Sequence, residues 1–310
     1  MSIAQLTLPM FIGTVLNWSL FGTLLVQIYI YFVAFPKDPR LSKAVVAVVF
    51  ILELVETIAN SRDAIRIFGA GWGSMDALND VGWAWITVPV LGALIASVGQ
   101  LFYARRLYIL SGNVYAPGVV ILVSLAQLSA GIWTGAQIYM AKEFSLVQQE
   151  TLAPTATWLA TTSLCDLIIV CSTAYYLIKA RQPEFMGNTN MIVSRVIKLT
   201  AETGVLCAIF ALVDLYLFAT FKGTNYHLAV CTELSKVYSN SILLILNWRA
   251  HIGHRHAPTT DISRHIFPDI AFKTGTIPSS SVHVELARRE SFASQDSGAD
   301  EDSRMGRSTV

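Results

Sequence analysis

Long hydrophobic stretches, separated by short polar segments, occupy the first 250 positions of this 310-residue chain. A membrane-spanning helix needs about 20 mainly apolar residues to cross a hydrocarbon core about 30 Å thick. Seven stretches reach this length, and each predicts a transmembrane helix. They are Pro9–Phe35, Ala44–Phe68, Trp85–Leu107, Pro117–Ala141, Thr155–Ile178, Val196–Phe221 and Tyr226–Trp248. The pattern therefore predicts an all-α integral membrane protein, a seven-transmembrane-helix bundle over residues 1–250.

The connections between these stretches are too short to hold a separate domain, so a functional site is expected inside the bundle. The segment Gly69–Gly82 is glycine-rich and is a candidate lid over one end. Gly131 and Gly135 are spaced as in close-packed membrane helices, and packing within the same chain is favoured over dimerisation. No basic residue precedes the first stretch, which predicts an uncleaved helix rather than a signal peptide.

Lysine and arginine are distributed unevenly between alternate connections, which predicts the orientation in the membrane. One set of connections carries Lys37, Arg40, Lys43, Arg105, Arg106, Lys179, Arg181, Arg195, Lys198, Arg249 and Arg255, and the other carries Arg62, Arg66, Lys142 and Lys222. Cytoplasmic loops are enriched in these residues. The N-terminus is therefore expected outside and the C-terminus in the cytoplasm.

The composition supports a membrane location, because 54% of the residues are hydrophobic and only 14% are charged. Soluble domains carry about 25% charged residues. The net charge of +1 gives no indication of a nucleic-acid partner. The four cysteines all lie inside hydrophobic stretches, where neither a disulfide framework nor a metal site is expected. We predict contact with the lipid bilayer and no cofactor.

Residues 251–310 differ from the rest of the chain, since they are rich in Ser, Thr, Pro, Asp and His. This composition predicts a disordered cytoplasmic tail. Ser291 follows two arginines and Ser297 precedes an acidic run, so both are candidate phosphorylation sites for a kinase or for a phosphate-dependent protein partner. An inert solvated tail is the alternative.

Charged residues in the last hydrophobic stretch are the main candidates for function. Glu233, Lys236 and Asn240 follow helical spacing and share one face. Lys236 comes ten residues after Tyr226, which places it about 15 Å from the start of the helix and near the bilayer midplane. A charge facing lipid at this depth costs at least about 2.5–3.5 kcal/mol. The face is therefore expected to point into the bundle.

Acidic residues on other helices supply partners for Lys236, and its preferred partner is Asp166 at a similar depth. Glu53 and Glu56 come next, and Glu233 is the alternative within the same helix. One lysine neutralises one carboxylate, so the remaining acids need hydrogen bonds, a proton or a cation. The pattern fits a structural polar network and a small-molecule, proton or ion site equally well. The candidate intramembrane residues are Glu53, Glu56, Asp166, Glu202, Glu233, Lys236 and Asn240.

Four phrases along the chain carry a resemblance to a known family. They are GTVLNWSLFGTLLVQIYIYFVAFPKD (Gly13–Asp38), SLCDLIIVCSTAYYL (Ser163–Leu177), IKLTAETGVLCAIFA (Ile197–Ala211) and LSKVYSNSILLILNWR (Leu234–Arg249). The chain resembles a basidiomycete-type family of uncharacterised seven-helix membrane proteins, with a domain of unknown function over residues 163–250. The resemblance implies a fold and a membrane location but no established activity. The functional residues that it implies are Asp166, Glu202, Lys236 and Asn240, without a role assigned to them.

Three functions remain open on the sequence. A receptor-like sensor is favoured by the interior polar residues, the lid-like connection and the phosphorylatable tail. A proton- or ion-coupled transporter would use the excess of carboxylates, and a structural or lipid-interacting protein would use the same residues to fix helix register. A retinal protein with Lys236 as the Schiff-base lysine is disfavoured, because no carboxylate lies between Trp83 and Leu110. No activated nucleophile is recognisable in the stretches, so the protein is not expected to be an enzyme.

Overall fold

The computed structural model describes residues 3–142, 151–180, 190–221 and 226–253, which form a bundle of α-helices. The helices are α1 (Ile3–Ala34), α2 (Arg40–Ile65), α3 (Met75–Asn79), α4 (Gly92–Ser111), α5 (Tyr115–Ala141), α6 (Leu152–Ala180), α7 (Asn190–Thr220) and α8 (Tyr226–Gly253). A π-helical turn, Arg66–Ala70, extends α2, and another, Ile86–Leu91, precedes α4. Pro89 explains the second turn, because proline lacks the N–H that a regular α-helix uses and its ring displaces the preceding carbonyl.

Among the described residues, six helices are long and apolar enough to cross a membrane, so the chain is a multi-pass membrane protein. These spans are Thr7–Ala34, Ile86–Ser111, Tyr115–Ala141, Leu152–Lys179, Lys198–Thr220 and Tyr226–Arg249. The six agree with six of the seven predicted stretches. The remaining long helix, α2, corresponds to the second stretch and is not among them.

Helix α8 lies at the centre of the bundle. In its apolar segment 67% of the residues are buried, against 22% in α1. It packs against α1, α2, α4 and α7. Trp18 and Tyr29 of α1 are exposed on the outer surface, where bilayer lipid would contact them. The central position of α8 explains why its polar residues meet side chains rather than lipid.

Side-chain contacts tie the connections to the bundle at both ends. At one end, here called the Asp63 end, the Trp83 backbone N–H donates to Asp63 Oδ2 at 2.8 Å. At the opposite end, here called the Asp38 end, Arg249 Nη2 of α8 donates to Asp38 Oδ2 at 2.6 Å. Asp38 lies just before α2 and Asp63 lies near its end. Helix α2 therefore runs the length of the bundle.

The two glycines of α5 allow the close approach that their spacing predicts. A Cβ atom on Gly131 would lie 2.9 Å from the Pro89 carbonyl oxygen, and one on Gly135 would lie 2.8 Å from the Trp85 carbonyl oxygen. Both neighbours belong to the segment that leads into α4. Packing within the chain, rather than dimerisation, thus accounts for this motif.

The predicted tail, residues 251–310, lies mostly outside the described residues, together with Ser291 and Ser297. Helix α8 continues to Gly253, three residues beyond the boundary expected at position 250.

Candidate functional site

Lys236 of α8 forms a buried ionic cluster with two glutamates of α2. Its side chain is fully buried and its Nζ forms an ion pair with Glu53. The same Nζ donates to Glu56 Oε2 at 3.2 Å. Both glutamates are also buried, so the two carboxylates of α2 and the ammonium group of α8 meet inside the bundle, away from lipid. The prediction that Lys236 is an interior, paired charge agrees with this geometry.

Two serines of α8 complete the coordination of these carboxylates. Ser239 Oγ donates to Glu53 Oε1 at 2.5 Å, and Ser235 Oγ donates to Glu56 Oε1 at 2.9 Å. Helical spacing explains the match, because residues three or four apart lie on the same face of a helix. Glu53 and Glu56 are three apart on α2, and the serines flank Lys236 on α8. Hydrogen bonds of this kind are what make a buried charge pair tolerable.

The preferred partner predicted for Lys236 was wrong. Asp166 of α6 accepts a hydrogen bond from the Tyr238 hydroxyl and a second, at 3.3 Å, from Gln100 Nε2 of α4. Depth suggested Asp166, but depth does not determine direction around the helix. Lys236 and Tyr238 are two residues apart, which rotates them by about 200° around α8. They therefore face different neighbours, α2 for the lysine and α6 for the tyrosine.

Glu233 adds a third carboxylate beside the ionic cluster. Its side chain is 2% exposed, and neither carboxylate oxygen has a hydrogen-bond partner among the residues that the structure describes. Lys236 lies three residues further along the same helix. The region thus contains Glu53, Glu56 and Glu233 around a single lysine, which leaves an excess of acid that needs a proton, a cation or a polar ligand.

The remaining two predicted residues lie in different environments. Glu202 of α7 is 58% exposed and pairs with Lys198 at 3.6 Å on its own helix. The structure therefore does not bring Glu202 into the interior cluster. Asn240 is partly buried, and its Nδ2 donates to the Leu20 carbonyl at 3.2 Å, which ties α8 to α1.

A second buried network joins α4, α5 and α6 and was not recognised in the sequence. Gln127 Nε2 donates to Ser97 Oγ at 3.2 Å, and Thr162 Oγ1 donates to Gln127 Oε1 at 2.5 Å. Gln100 belongs to the Asp166 group described above. Glutamines in the middle of predicted spans are a usable signal for such networks, because an amide facing lipid has no partner.

A cavity of about 80 Å³ lies next to the ionic cluster, at the Asp63 end. Asn17 of α1 lines it and is 1% exposed, and neither polar atom of its amide has a hydrogen-bond partner within the described part of the chain. Asn60 of α2 and Thr232 of α8 also line the cavity. Asn60 follows Glu56 by four residues and Thr232 precedes Lys236 by four. The cavity is therefore about one helical turn from the ionic cluster.

Charged side chains at the cavity are already engaged with one another. Arg66 Nε lies 3.7 Å from Asp63 Oδ1, an ion pair in which neither atom has a hydrogen-bond partner among the described residues. Arg66 Nη1 donates to Asp80 Oδ2 at 2.5 Å. These contacts hold the connection that follows α2 against the bundle. Val81 of this connection is buried and forms part of the cavity wall. The segment Gly69–Gly82 thus contacts the end of the bundle, and its role as a lid stays a prediction.

A separate acid–imidazole contact lies between α7 and α8. Asp214 is fully buried and His227 Nδ1 lies 3.9 Å from its Oδ1. Across the described ranges, no group of three or more His, Cys, Asp and Glu side chains is placed to hold a metal ion.

Comparisons with known proteins show that part of this site is similar to a family without an assigned activity. No curated protein and no solved structure matches the chain. The match of a family model confirms the resemblance to an uncharacterised family over residues 163–250. The site residues Glu53, Glu56 and Asn17 lie outside the matched range. That model, described as "Family of unknown function (DUF6534)", matches residues 162–251, and the segment from α6 to α8 with Lys236 and Asp166 is similar to this family.

Proposed function

We propose that this multi-pass membrane protein is a receptor-like sensor that binds a small molecule in the cavity at the Asp63 end. The observation that carries the proposal is the position of the cavity. Its lining includes the Asn17 amide, which has no hydrogen-bond partner among the described residues, and it lies one helical turn from the Lys236 cluster. Buried polar atoms are normally hydrogen-bonded, so an exception needs an explanation, and a bound molecule is one.

The same two helices contribute to the cavity and to the ionic cluster, which gives a route for a response. Helix α2 carries Asn60 and Glu56, and α8 carries Thr232 and Lys236. A ligand that separates or draws together these helices changes the contact between Lys236 Nζ and Glu56, now 3.2 Å. A ligand shifts a conformational equilibrium only by its difference in affinity for the two states. The ligand would bind with different affinities to two arrangements of the Lys236 cluster, and this difference would drive the response.

The proposed orientation makes such a response directional. With the N-terminus outside, α2 as a seventh span and the C-terminus in the cytoplasm, the cavity faces the exterior and Arg249 faces the cytoplasm. Arg249 lies on α8, the helix that also carries the cavity residue Thr232. A ligand at one surface and a protein partner at the other would then share α8.

The test measures binding and helix movement separately. Purified protein is screened by thermal unfolding against neutral, anionic and cationic small molecules, and hits are repeated on Asn17→Leu. For each hit, spin labels on the exposed residues Val55 of α2 and Leu244 of α8 report the distance between the helices. We expect hits to depend on Asn17 and to change that distance. Hits that bind without any change in distance would contradict sensing.

A proton- or ion-coupled carrier is the second candidate, and the excess of carboxylates around Lys236 favours it. In proteoliposomes with an internal pH indicator, a carrier would acidify the lumen when the outside is acidic, and Glu233→Gln would reduce the rate. Helix-distance changes without proton entry would favour the sensor. A structural or lipid-interacting role would show neither.

A further inference from the structure

We infer that the cavity at the Asp63 end takes an uncharged, mainly apolar molecule of about seven heavy atoms that carries one hydroxyl or amide group. The inference rests on the proposed function and adds the chemical class of the ligand. It follows from three properties of the cavity: the polar atoms that face it, the state of its charged residues, and its size.

The polar atoms that face the cavity include hydrogen-bond donors and an acceptor. A complementary ligand must therefore both accept and donate hydrogen bonds. Asn17 offers an amide donor and an amide acceptor, and both lack partners among the described residues. Asn60 offers a further donor, since its Nδ2 also has no hydrogen-bond partner in the described ranges. A ligand hydroxyl donates one hydrogen bond and accepts others, so it can satisfy the Asn17 oxygen and one amide N–H together.

Most of the remaining wall is apolar. Side chains from α1, the turn after α2, the segment before α4 and α8 surround the space. They are Met10, Ile67, Phe68, Val88 and Leu228. A hydrocarbon chain would contact these residues, and a polar molecule without such a chain would leave them facing polar atoms. Ligand pockets commonly combine an apolar lining with a few placed polar groups in this way.

The charged residues at the cavity select against a charged ligand. Arg66 pairs with Asp63 and Asp80, so an anionic ligand would compete with two carboxylates for one guanidinium. A cationic ligand would compete with Arg66 for Asp63, whose Oδ2 also accepts from the Trp83 N–H. A neutral ligand leaves all of these contacts in place.

The size of the cavity sets the length of the ligand. One water needs about 10–15 Å³ of such space, so 80 Å³ holds roughly five to eight water-sized groups. A six-carbon alcohol is of this size.

Photolabelling tests the inference on the full chain in lipid nanodiscs. The probe is a butanol that carries a diazirine on its alkyl chain, which makes it about as large as 1-hexanol, and mass spectrometry locates the labelled residues. The competitors are 1-hexanol, hexanoate and hexylammonium. We expect labelling of cavity residues on α1, α2 and α8, with 1-hexanol as the strongest competitor. Asn17→Leu, which keeps the branched shape of the side chain but replaces its two polar atoms with methyl groups, should weaken competition by 1-hexanol about tenfold, as expected for one lost hydrogen bond.

Two further variants guard against misfolding and nonspecific effects. Asn60→Leu should also weaken competition, and it replaces Asn17→Leu if that variant does not fold. Ser19→Ala changes an exposed residue of the same helix as Asn17 and should leave labelling unchanged.

Any other outcome contradicts the inference, and each one contradicts a different part of it. Stronger competition by hexanoate or hexylammonium overturns the neutral class and leaves the sensor proposal standing. Labelling confined to lipid-facing residues, or unchanged in both asparagine variants, means that the cavity is not the binding site for this class. Failure of the proposed function is seen separately, as a labelled cavity with no change in the distance between α2 and α8.

Discussion

At the residue scale, Lys236 is held by two acids from one helix, and each acid has a second contact from a serine. The arrangement gives the lysine a defined position, because moving it would break contacts with both Glu53 and Glu56. Removing one member of a buried charge group costs more than the group contributes as a whole, since the remaining charge has no counterion.

We predict that Lys236→Met destabilises the bundle by about 1–3 kcal/mol. The range lies between the cost of breaking buried pairs in soluble proteins and the smaller values measured for polar contacts in membranes. Unfolding in mixed detergent micelles measures the change. A double-mutant cycle with Glu53→Gln should give a coupling energy clearly different from zero. Lys236→Met with Asp166→Asn is the matched control and should be additive, because these residues share no partner.

Tyr238 gives a second prediction at this scale. Tyr238→Phe removes the hydroxyl that donates to Asp166 and leaves Gln100 as the donor seen in the structure. We expect a loss of about 1–3 kcal/mol, the usual cost of a buried polar group that loses a partner. Tyr175→Phe changes a tyrosine that is 61% exposed and serves as the control. Equal unfolding midpoints for the two variants would show that the Asp166 contact does not stabilise the bundle.

The sequence predicted which residues are interior more successfully than which residues meet. Depth and helical spacing placed Lys236, Glu53, Glu56, Glu233 and Asp166 inside, and all are buried. They did not identify the partner of Lys236, because the rotation of each helix about its axis depends on packing by all its neighbours. Asn17 was missed for a related reason: one amide in an apolar helix does not reveal that it lines a cavity.

At the element scale, α5 depends on two glycines for its approach to the segment before α4. We predict that Gly131→Ala and Gly135→Ala each destabilise the bundle by about 1–3 kcal/mol, because the added Cβ meets backbone that cannot move freely. Gly118→Ala on the same helix is the control, since its Cβ would have no neighbour within 4 Å. That variant should be neutral or slightly stabilising, because alanine favours helix. Thermal unfolding of the three variants tests the prediction, which fails if they behave alike.

The contact between the α1–α2 connection and α8 responds to pH. Hydrogen bonding by Arg249 holds the pKa of Asp38 below its ordinary value of 3.8, and the Tyr31 hydroxyl also donates to it. A lowered folded-state pKa adds stability that is fully present above the unfolded pKa and is lost as the pH falls through the folded pKa. The control for any measurement of this effect is Asp38→Asn, which cannot ionise.

We therefore predict that the difference in unfolding temperature between the wild type and Asp38→Asn is constant from pH 7 to about pH 5 and shrinks below about pH 4. Thermal unfolding across this range measures it. A difference that stays constant down to pH 3 would show that the charge of Asp38 does not contribute.

The length of the hydrophobic stretches predicted where the helices lie. It did not predict the local irregularities within them. The two π-helical turns flank the connection that carries Val81, and Pro89 lies within one of them. Hydropathy does not report which carbonyl a turn bonds to, and the cavity is formed partly by these turns. The sequence therefore did not predict the cavity, although the polar residues that line it lie within the predicted transmembrane stretches.

At the scale of the whole molecule, the decisive question is whether α2 crosses the membrane. Six spans would put both ends of the described bundle on the same side, and seven would put them on opposite sides. We predict that α2 does cross it. Helix α2 has 26 residues, about 39 Å at 1.5 Å each, and its flanking contacts lie at opposite ends of the bundle. Its two glutamates face the interior, so they do not oppose insertion in the way that lipid-facing charges would.

We accordingly predict that a reporter placed before Thr7 is external and one placed after Arg249 is cytoplasmic. In intact cells, a membrane-impermeant thiol reagent should label a cysteine added at the first position and not at the second, in a background with Cys165, Cys171, Cys207 and Cys231 replaced. After permeabilisation both should react. Labelling of both in intact cells would mean an even number of crossings, and α2 would then lie inside the bundle without reaching both surfaces. Labelling of only the second would reverse the orientation, and the cavity would open toward the cytoplasm.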